Sequence, residues 1–329
     1  MSKPTLWNRI TDSSNLVLAY RKARRGKMGK EEVLRYSRSL RDNLRFLQSS
    51  LRDGSWEPSP FKVFTIFEPK ERVISAAPFC DRVAHHAVMT IVGPILDRRQ
   101  IDHSYACREG KGVHACVAQA YRNQRKYSYF LRMDIRKYFP SIDHDVLFAN
   151  LSRTIWDEPT LSFFRRVLHH GDSSGVGLPI GNLTSQHLAN LHLSYLDHFV
   201  LQTLAPKAYV RYMDDFVLWA NDRDFLQQAQ QRITVYLELT LHLHPKPSIT
   251  ELLPARKGLL FLGCRILPNQ VRLSQRSLYR LRKHIRKWQW EKRQGVSESG
   301  LARKAASVMG WTALAHTHSL RSCLQISTL

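Results

Sequence analysis

The feature that most limits the fold of this chain is a pair of adjacent carboxylates inside an apolar, strand-like stretch. The stretch reads RYMDDFVLWA (211–220), with Asp214 and Asp215 at its centre. In a regular strand successive side chains point to opposite faces, so both carboxylates cannot serve one site from an extended segment. A β-hairpin with MDD at its tip removes the conflict, although the usual Asn-Gly turn signal is missing. The sequence therefore predicts two antiparallel strands with both aspartates at the rim of their turn.

A third carboxylate stands at the end of another apolar run, YSYFLRMD (127–134), which closes on Asp134. Two carboxylates about 4 Å apart repel by about 4 kcal/mol at an effective dielectric of 20, so a cation is needed to hold them together. Mg²⁺ is the hard divalent ion that suits an all-oxygen site. If the strand before Asp134 lies next to the hairpin, three carboxylates can hold two Mg²⁺ ions, the arrangement used in nucleotidyl transfer.

Each aspartate motif also has a simpler interpretation. The Asp-Asp pair taken alone is typical of a solvated turn, and Asp134 taken alone is typical of a residue at a strand end. The combination of the two motifs in a strongly basic chain favours the metal site.

Composition indicates the class of partner. The chain has 329 residues and a formal net charge of +23, from 50 Lys and Arg against 27 Asp and Glu. This predicts a polyanionic partner, and nucleic acid is favoured over a membrane surface because the positive charge is spread along the whole chain. The five cysteines include no Cys-x-x-Cys pair, which favours a reducing cytosol. No apolar run reaches about 18 residues, so we expect a cytoplasmic protein without a membrane segment.

The order of predicted elements is mixed. Helical spacing is found over 30–54, 81–96 and 184–204, with Thr184 or Ser185 as the cap of the last helix. Two strands are predicted around a turn at Pro69, in FKVFTIF (61–67) and ERVISAA (71–77). The sequence therefore predicts an α+β fold with an antiparallel sheet.

With these motifs in place, the chain resembles the reverse transcriptases from about Glu68 to Ile266. Their aromatic-x-Asp-Asp box matches YMDD (212–215), and their other metal-binding aspartate matches Asp134 in FLRMDIRKYFPSID (130–143). The resemblance implies a right-hand polymerase in which Asp134, Asp214 and Asp215 are catalytic and bind two Mg²⁺ ions.

The same resemblance implies roles for residues that follow Asp134. The backbone carbonyl of Ile135 should face a metal ion. Phe139 falls where such enzymes place an aromatic side chain that excludes the 2′-hydroxyl of a ribonucleotide. The alternative for Phe139 is a core aromatic.

Further nucleotide and primer contacts are carried over from the family. In PKERVIS (69–75), Lys70 and Arg72 match the basic residues with which the family binds the incoming triphosphate. The alternative is that both are solvated surface charges. Lys246 stands where these polymerases carry a lysine that protonates pyrophosphate. The segment GLLFLGCRI (258–266) resembles the primer-grip hairpin, which here contains Phe261, Leu262 and Gly263.

One box narrows the subfamily. Most reverse transcriptases carry Gln-Gly-x-x-x-Ser-Pro, whereas this chain reads GLPIGNLTSQ (177–186), with Ile180 before Gly181 and Gln186 after the serine. These departures are similar to the reverse transcriptases of diversity-generating retroelements. So are YACREGKGVHA (105–115), FLGCRI (261–266) and GWTALAHTHSL (310–320). We expect Ile180, Gly181 and Gln186 to lie at the nucleotide.

The subfamily implies function and partners. Such enzymes copy a structured template-repeat RNA into cDNA from deoxynucleoside triphosphates, with errors opposite adenine. They act with a basic, helical accessory variability protein that forms a pentamer, and they are bacterial or phage-encoded. Ile180 cannot donate the hydrogen bond of the glutamine usual at its position, which is worth roughly 0.5 to 1.5 kcal/mol. The alternative for Ile180 is a packing residue at a helix entrance.

The resemblance also implies a division of the chain. We expect a helical N-terminal extension over 1–56, fingers with interleaved palm over 57–133 and 145–207, palm over 134–144 and 208–268, and a helical basic thumb over 269–329. The thumb prediction rests on nine Lys or Arg between 272 and 293 beside an apolar helical stripe, and a solvated helix face is the alternative.

Two rival functions stay open. One is a retron-like or defence-associated reverse transcriptase. The other is an RNA-binding scaffold with a polymerase core that no longer catalyses.

Overall fold

The computed structural model of the protein describes residues 5–67, 71–170 and 174–297, together with 306, 308, 310, 312, 313 and 315. The chain forms two compact units. The first unit contains Met1–Ile101, Ile135–Phe199 and Thr234–His244. The second unit contains Asp102–Asp134, Val200–Ile233 and Pro245–Leu329.

Helices supply most of the regular structure. They are α1 (Leu6–Ile10), α2 (Ser13–Arg24), α3 (Glu31–Arg38), α4 (Leu40–Arg52), α5 (Phe79–Asp97), α6 (Val113–Lys126), α7 (Tyr138–Ser141), α8 (His144–Ser152), α9 (Glu158–His169), α10 (Leu183–Phe199), α11 (Arg223–Thr240) and α12 (Gln275–Arg293). A π-helical turn, Val200–Leu204, continues α10, and a 3₁₀ turn spans Ala255–Lys257. None of the described helices is both long and apolar enough to cross a membrane.

The strands of the described residues form three antiparallel sheets. They are β1 (Lys62–Ile66), β2 (Arg72–Ala76), β3 (Tyr129–Met133), β4 (Ala208–Tyr212), β5 (Asp215–Ala220), β6 (Glu251–Pro254), β7 (Leu259–Phe261), β8 (Cys264–Ile266) and β9 (Val271–Leu273). The sheet orders are β1-β2, β4-β5-β3-β6 and β7-β8-β9. This mixture of helices and antiparallel sheets confirms the α+β prediction.

In the first unit, α2 packs along α5, a helix that is buried over much of its length. Asn15 fixes this contact because its side-chain amide donates hydrogen bonds to the carbonyl oxygens of Ile10 and Ala87. The strands β1 and β2 form the predicted hairpin, with Ile66 paired to Arg72 next to the turn. The predicted turn residue Pro69 lies outside the described residues.

Two helix predictions in this unit need correction. The single helix predicted over 30–54 is divided into α3 and α4 at Ser39, whose φ of −115° and ψ of 41° are not helical. Serine offers the backbone alternative local hydrogen bonds, so it is a weak point in a helix. The predicted capping role of Thr184 or Ser185 is wrong, because α10 begins at Leu183 and buries both side chains.

The second unit is built on the sheet β4-β5-β3-β6. The strand β3 is central, since it pairs with β5 on one side and β6 on the other. Its core joins apolar residues of these strands to α6 and to the small sheet β7-β8-β9, with Phe130, Val210 and Trp219 at the centre. The indole nitrogen of Trp219 donates a 2.9 Å hydrogen bond to Oε1 of Gln124 on α6, so the polar atom of this buried ring is satisfied.

The predicted helical stripe of the basic segment is confirmed in α12. Leu281, Ile285 and Trp288 are buried, whereas Tyr279 and Trp290 are exposed. The side-chain hydroxyl of Ser274 accepts a hydrogen bond from the backbone N–H of Ser277 and caps the helix.

Candidate active site

The strand register brings two of the predicted catalytic aspartates together. In the antiparallel pair of β3 and β5, Met133 lies opposite Phe216. The next position on each strand is Asp134 on one and Asp215 on the other, so the two carboxylates face each other just beyond the ladder. Residues at opposed positions share one face of the sheet, with Cβ atoms about 5 Å apart. The expectation that Asp134 lies beside the hairpin is therefore confirmed.

The hairpin tip places the remaining aspartate. Tyr212 pairs with Asp215, so the loop between β4 and β5 consists of Met213 and Asp214 alone. Met213 has a φ of 58°, and a positive φ at the first loop residue is the pattern of a type II′ turn. Asp215 is thus the first residue of β5, and Asp214 is the turn residue before it.

A buried arginine supports this turn. Arg211 on β4 is fully buried, and its Nη1 donates a 3.0 Å hydrogen bond to the carbonyl oxygen of Met213. Its backbone N–H donates to the carbonyl oxygen of His103, and its own carbonyl accepts from the N–H of Tyr105. The role of this residue was not predicted from the sequence, although an arginine in an apolar strand was a signal for it.

Arg132 holds Asp215 in a bidentate ion pair. Its Nε and Nη2 donate to the two carboxylate oxygens of Asp215 at 2.9 and 2.7 Å. The two side chains are only 14% and 16% exposed. Arg132 lies two residues before Asp134, so both side chains project from the same face of β3. This ion pair was not predicted from the sequence either, because Arg132 and Asp215 meet only through the strand register.

The charges around Asp215 oppose one another. Burial raises the pKa of the Asp215 carboxyl, the hydrogen bonds from Arg132 lower it, and repulsion by Asp134 raises it; the net direction is upward. Burial lowers the pKa of Arg132, but the hydrogen bonds and charge of Asp215 raise it by more. The repulsion acts between two carboxylates whose backbone positions face each other across β3 and β5.

The donor set fits a hard divalent ion. Asp134, Asp214 and Asp215 lie at one end of the sheet β4-β5-β3-β6, and carboxylate oxygens are donors that Mg²⁺ prefers. Within the part of the chain that the structure describes, however, no three acidic, His or Cys side chains are already gathered as a metal cluster. In this arrangement Arg132 is the bidentate partner of Asp215, so a metal ion there would compete with Arg132 for the carboxylate oxygens.

The lysine predicted to protonate pyrophosphate, Lys246, and the predicted primer-grip hairpin lie in the second unit. The backbone N–H of Lys246 donates a 2.8 Å hydrogen bond to the carbonyl oxygen of Asp134, and its ammonium charge lowers the pKa of Asp215. Leu262 and Gly263 form the loop between β7 and β8, with φ of 49° and 81°. Phe261, at the end of β7, is buried in the core.

In the first unit, the loop that contains the predicted nucleotide-binding residues Ile180 and Gly181 lies against β2. The N–H of Ser75 on β2 donates a 2.9 Å hydrogen bond to the carbonyl oxygen of Ile180. Asn182 adds two bonds, since its Oδ1 accepts from the N–H of Ala77 and its Nδ2 donates to the carbonyl oxygen of Ser75. The role of Asn182 was not predicted from the sequence. Gly181 has a φ of 116°, and a Cβ there would lie 2.9 Å from Cγ2 of Ile74.

Of the other residues predicted to contact the nucleotide in this unit, Arg72, Phe139 and Gln186 are described by the structure and Lys70 is not. Arg72 is exposed at the start of β2, and Lys70 lies outside the described residues. Phe139, in α7, is half-buried, and its carbonyl oxygen accepts a 2.8 Å hydrogen bond from the N–H of Leu178, next to the Ile180 loop. Gln186 is half-buried in α10.

Ile135 opens the next segment of this unit, and its side chain is buried. Its predicted carbonyl contact to a metal ion stays a prediction.

Solved structures share the fold. The apo telomerase from Candida tropicalis superposes with a TM-score of 0.51 at 10% identity, over 66% of this chain and 49% of that chain. This likeness supports the right-hand polymerase architecture predicted from the sequence.

Curated relatives match one segment of the chain. The group II intron-encoded protein LtrA of Lactococcus lactis is 27% identical over 171 residues, covering 49% of this chain and 28% of the relative. The putative COX1/OXI3 intron 1 protein of Saccharomyces cerevisiae is 25% identical over 164 residues, covering 47% of this chain and 20% of the relative. The chain therefore spans less than a third of the length of these relatives.

A family model covers the segment that carries both aspartate motifs. The reverse transcriptase (RNA-dependent DNA polymerase) model matches residues 67–266. This range contains β2 to β8, the facing pair Asp134 and Asp215, and the Ile180 loop. The chain belongs to the reverse transcriptase family.

Proposed function

We propose that this chain is an RNA-directed DNA polymerase that adds deoxynucleotides to the 3′-hydroxyl of a primer. The observation that carries the proposal is the register of β3 and β5, which makes Asp134 face Asp215 beside the Asp214 turn. Facing carboxylates at a sheet end are costly unless a cation is bound between them.

Asp134, Asp214 and Asp215 would hold two Mg²⁺ ions, with the backbone carbonyl of Ile135 as a further ligand. When bound, such ions lower the pKa of the attacking hydroxyl and stabilise the leaving pyrophosphate. Lys246 is tied through its backbone to Asp134, which supports a role as the proton donor to that leaving group.

The residues of the first unit would select the nucleotide. Arg72, on an exposed strand, would bind the triphosphate together with Lys70. Phe139 would exclude a ribose 2′-hydroxyl by occupying its space. The hydrogen bonds of β2 to Ile180 and Asn182 support this assignment because they fix the Arg72 strand to the Ile180 loop.

The finer proposal is a polymerase of a diversity-generating retroelement. Its support is Ile180 and Gln186, which stand where most reverse transcriptases carry the glutamine and the proline of the Gln-Gly-x-x-x-Ser-Pro box. Such an enzyme would copy a structured template-repeat RNA with errors opposite adenine. The resulting cDNA would remain paired to that RNA. By the same resemblance, it would act with a basic, pentameric accessory protein.

A second candidate is supported by the relatives. LtrA of Lactococcus lactis is a group II intron-encoded protein, and the Arabidopsis thaliana relative is a nuclear intron maturase. Intron-associated synthesis would predict rare errors spread over all template bases. A retron-like or defence-associated enzyme predicts the same pattern, whereas an RNA-binding scaffold predicts no synthesis at all.

The test is primer extension by the full chain on a template RNA that contains all four bases, with Mg²⁺ and deoxynucleoside triphosphates, followed by cDNA sequencing. The proposal predicts extended products whose errors are concentrated opposite adenine. Ribonucleoside triphosphates, the matched substrate control, should not be incorporated. Extension with uniform errors would support the intron or retron candidates, and absence of extension would overturn the polymerase.

A further inference from the structure

Arg132 lies between the carboxylate of Asp215 and a cavity lined by other arginines. On one side it makes the bidentate ion pair with Asp215, at 2.9 and 2.7 Å. On the other it lines a cavity of about 770 Å³ in the second unit, between the β7–β8 loop and the start of α12. Glu251, which pairs with Arg132 across β3 and β6, lies on the same sheet face and adds negative charge to its surroundings.

The cavity is built for an anion. Its lining includes Arg132 and four other arginines but no Asp or Glu among the described residues. The four others are Arg265, Arg272, Arg276 and Arg280. The Nε of Arg280 is buried and has no hydrogen-bond partner within the described part of the protein. Five guanidinium groups around one space favour a chain of phosphates, since guanidinium binds phosphate with two parallel hydrogen bonds.

We propose that Arg132 exchanges Asp215 for a backbone phosphate of a nucleic acid strand in this cavity, and that the exchange frees Asp215 to bind a divalent ion. The inference rests on the proposed function and gives Arg132 the role of a positioning residue.

The exchange is physically coupled in both directions. A guanidinium stays charged, so Arg132 cannot release Asp215 by losing its proton. A buried charge is strongly destabilising when its partner is removed, so neither side chain separates unless each gains a new partner. Phosphate for Arg132 and a divalent ion for Asp215 meet this requirement together. By linkage, nucleic acid must tighten metal binding by the same factor as metal tightens nucleic acid binding.

The test measures this coupling without catalysis. Mn²⁺ binding to the full chain is followed by electron paramagnetic resonance, with and without an RNA–DNA duplex whose primer ends in a 3′-deoxynucleotide. The duplex should tighten Mn²⁺ binding by wild type by at least about fivefold, within the usual range for coupled sites. Arg132→Gln should bind Mn²⁺ more tightly than wild type in the absence of duplex and should lose the duplex effect.

Two further variants separate the exchange from simple charge removal. Arg272→Gln, the matched control, lines the same cavity without touching Asp215. It should weaken duplex binding but keep the duplex effect on Mn²⁺. Arg132→Lys keeps the positive charge but cannot make the bidentate hydrogen bonds of a guanidinium, so the duplex effect on Mn²⁺ should be reduced. If circular dichroism shows that Arg132→Gln does not fold, Arg132→Lys takes its place in the test.

The proposal is overturned if the Arg132 variants keep the full wild-type duplex effect, or if wild type shows none. Its failure is distinguishable from failure of the proposed function. Extension by wild type without the duplex effect on Mn²⁺ rejects the exchange alone. A duplex effect that depends on Arg132, found without any extension, rejects polymerisation and leaves the exchange standing.

Discussion

The backbone N–H of Ser75 donates a 2.9 Å hydrogen bond to the carbonyl oxygen of Ile180, which joins the Arg72 strand to the loop of the subfamily motif. The two segments are about 100 residues apart in sequence. Their contact in one unit supports the proposal that Arg72 and Ile180 both act on the incoming nucleotide.

Ile180→Gln should lower misincorporation opposite adenine. Glutamine restores a side-chain hydrogen bond worth roughly 0.5 to 1.5 kcal/mol, which corresponds to an error change of up to about tenfold. Sequencing of cDNA from one RNA template measures it, with Ile180→Leu as the apolar control that keeps the wild-type errors. Unchanged errors opposite adenine in the glutamine variant would refute this role.

Gly181→Ala should damage the same loop. The substitution places a side chain at a φ of 116° and 2.9 Å from Cγ2 of Ile74, so either the loop or β2 must shift. A strained backbone of this kind costs on the order of 1 to 3 kcal/mol. We expect a lower melting temperature and a higher KM for deoxynucleotides. Gly110→Ala is the control, since Gly110 also has a positive φ, of 71°, but has no atom within 4 Å of the added Cβ. Equal effects of the two substitutions on KM would contradict this account.

Arg211→Met should loosen the Asp214 turn. Removing the guanidinium leaves the Met213 carbonyl without this donor, at a cost of roughly 1 to 3 kcal/mol. The turn positions the carboxylates rather than the substrate, so kcat should fall more than the KM for deoxynucleotides. Steady-state kinetics measure the split, and Arg223→Met on the exposed start of α11 is the control. A change in KM alone would show that Arg211 does not act through the turn.

Acid should destabilise the first unit through buried histidines. Burial lowers the pKa of His192 from 6.5 to about 4. Between pH 6.5 and pH 4 the His192 side chain is protonated in the unfolded chain but neutral in the folded protein. The folded protein therefore has its full stability above pH 6.5 and loses stability as the pH falls toward 4. At pH 5 the loss for His192 is about 2 kcal/mol. Burial lowers the pKa of His85, to about 3, and of His86, to about 4, in the same direction.

Urea denaturation at pH 7 and pH 5 measures this loss. His192→Gln should reduce the difference in unfolding free energy between the two pH values. The exposed His284→Gln is the control and should keep the wild-type difference. If His192→Gln leaves the difference unchanged, the acid sensitivity does not come from this side chain.

Local patterns predicted the parts of the fold that depend on short-range chemistry. The two arms around Asp214 and Asp215 are apolar and strand-like, and the facing of Asp134 follows once their sheet is assumed. The break at Ser39 was not predicted because the apolar spacing continues across it. The bidentate ion pair of Arg132 with Asp215 and the hydrogen bonds of Asn182 to the β2 segment were not predicted, because both depend on which segments meet in space.

We propose above all that Asp134, Asp214 and Asp215 act together on divalent ions in DNA synthesis. The most direct measurement is the single-turnover rate of primer extension on an RNA template by Asp134→Asn, which keeps the size of the side chain and removes its charge. The account predicts a loss of at least about a hundredfold, whereas the exposed Asp145→Asn keeps the wild-type rate. A wild-type rate of extension by Asp134→Asn would contradict it.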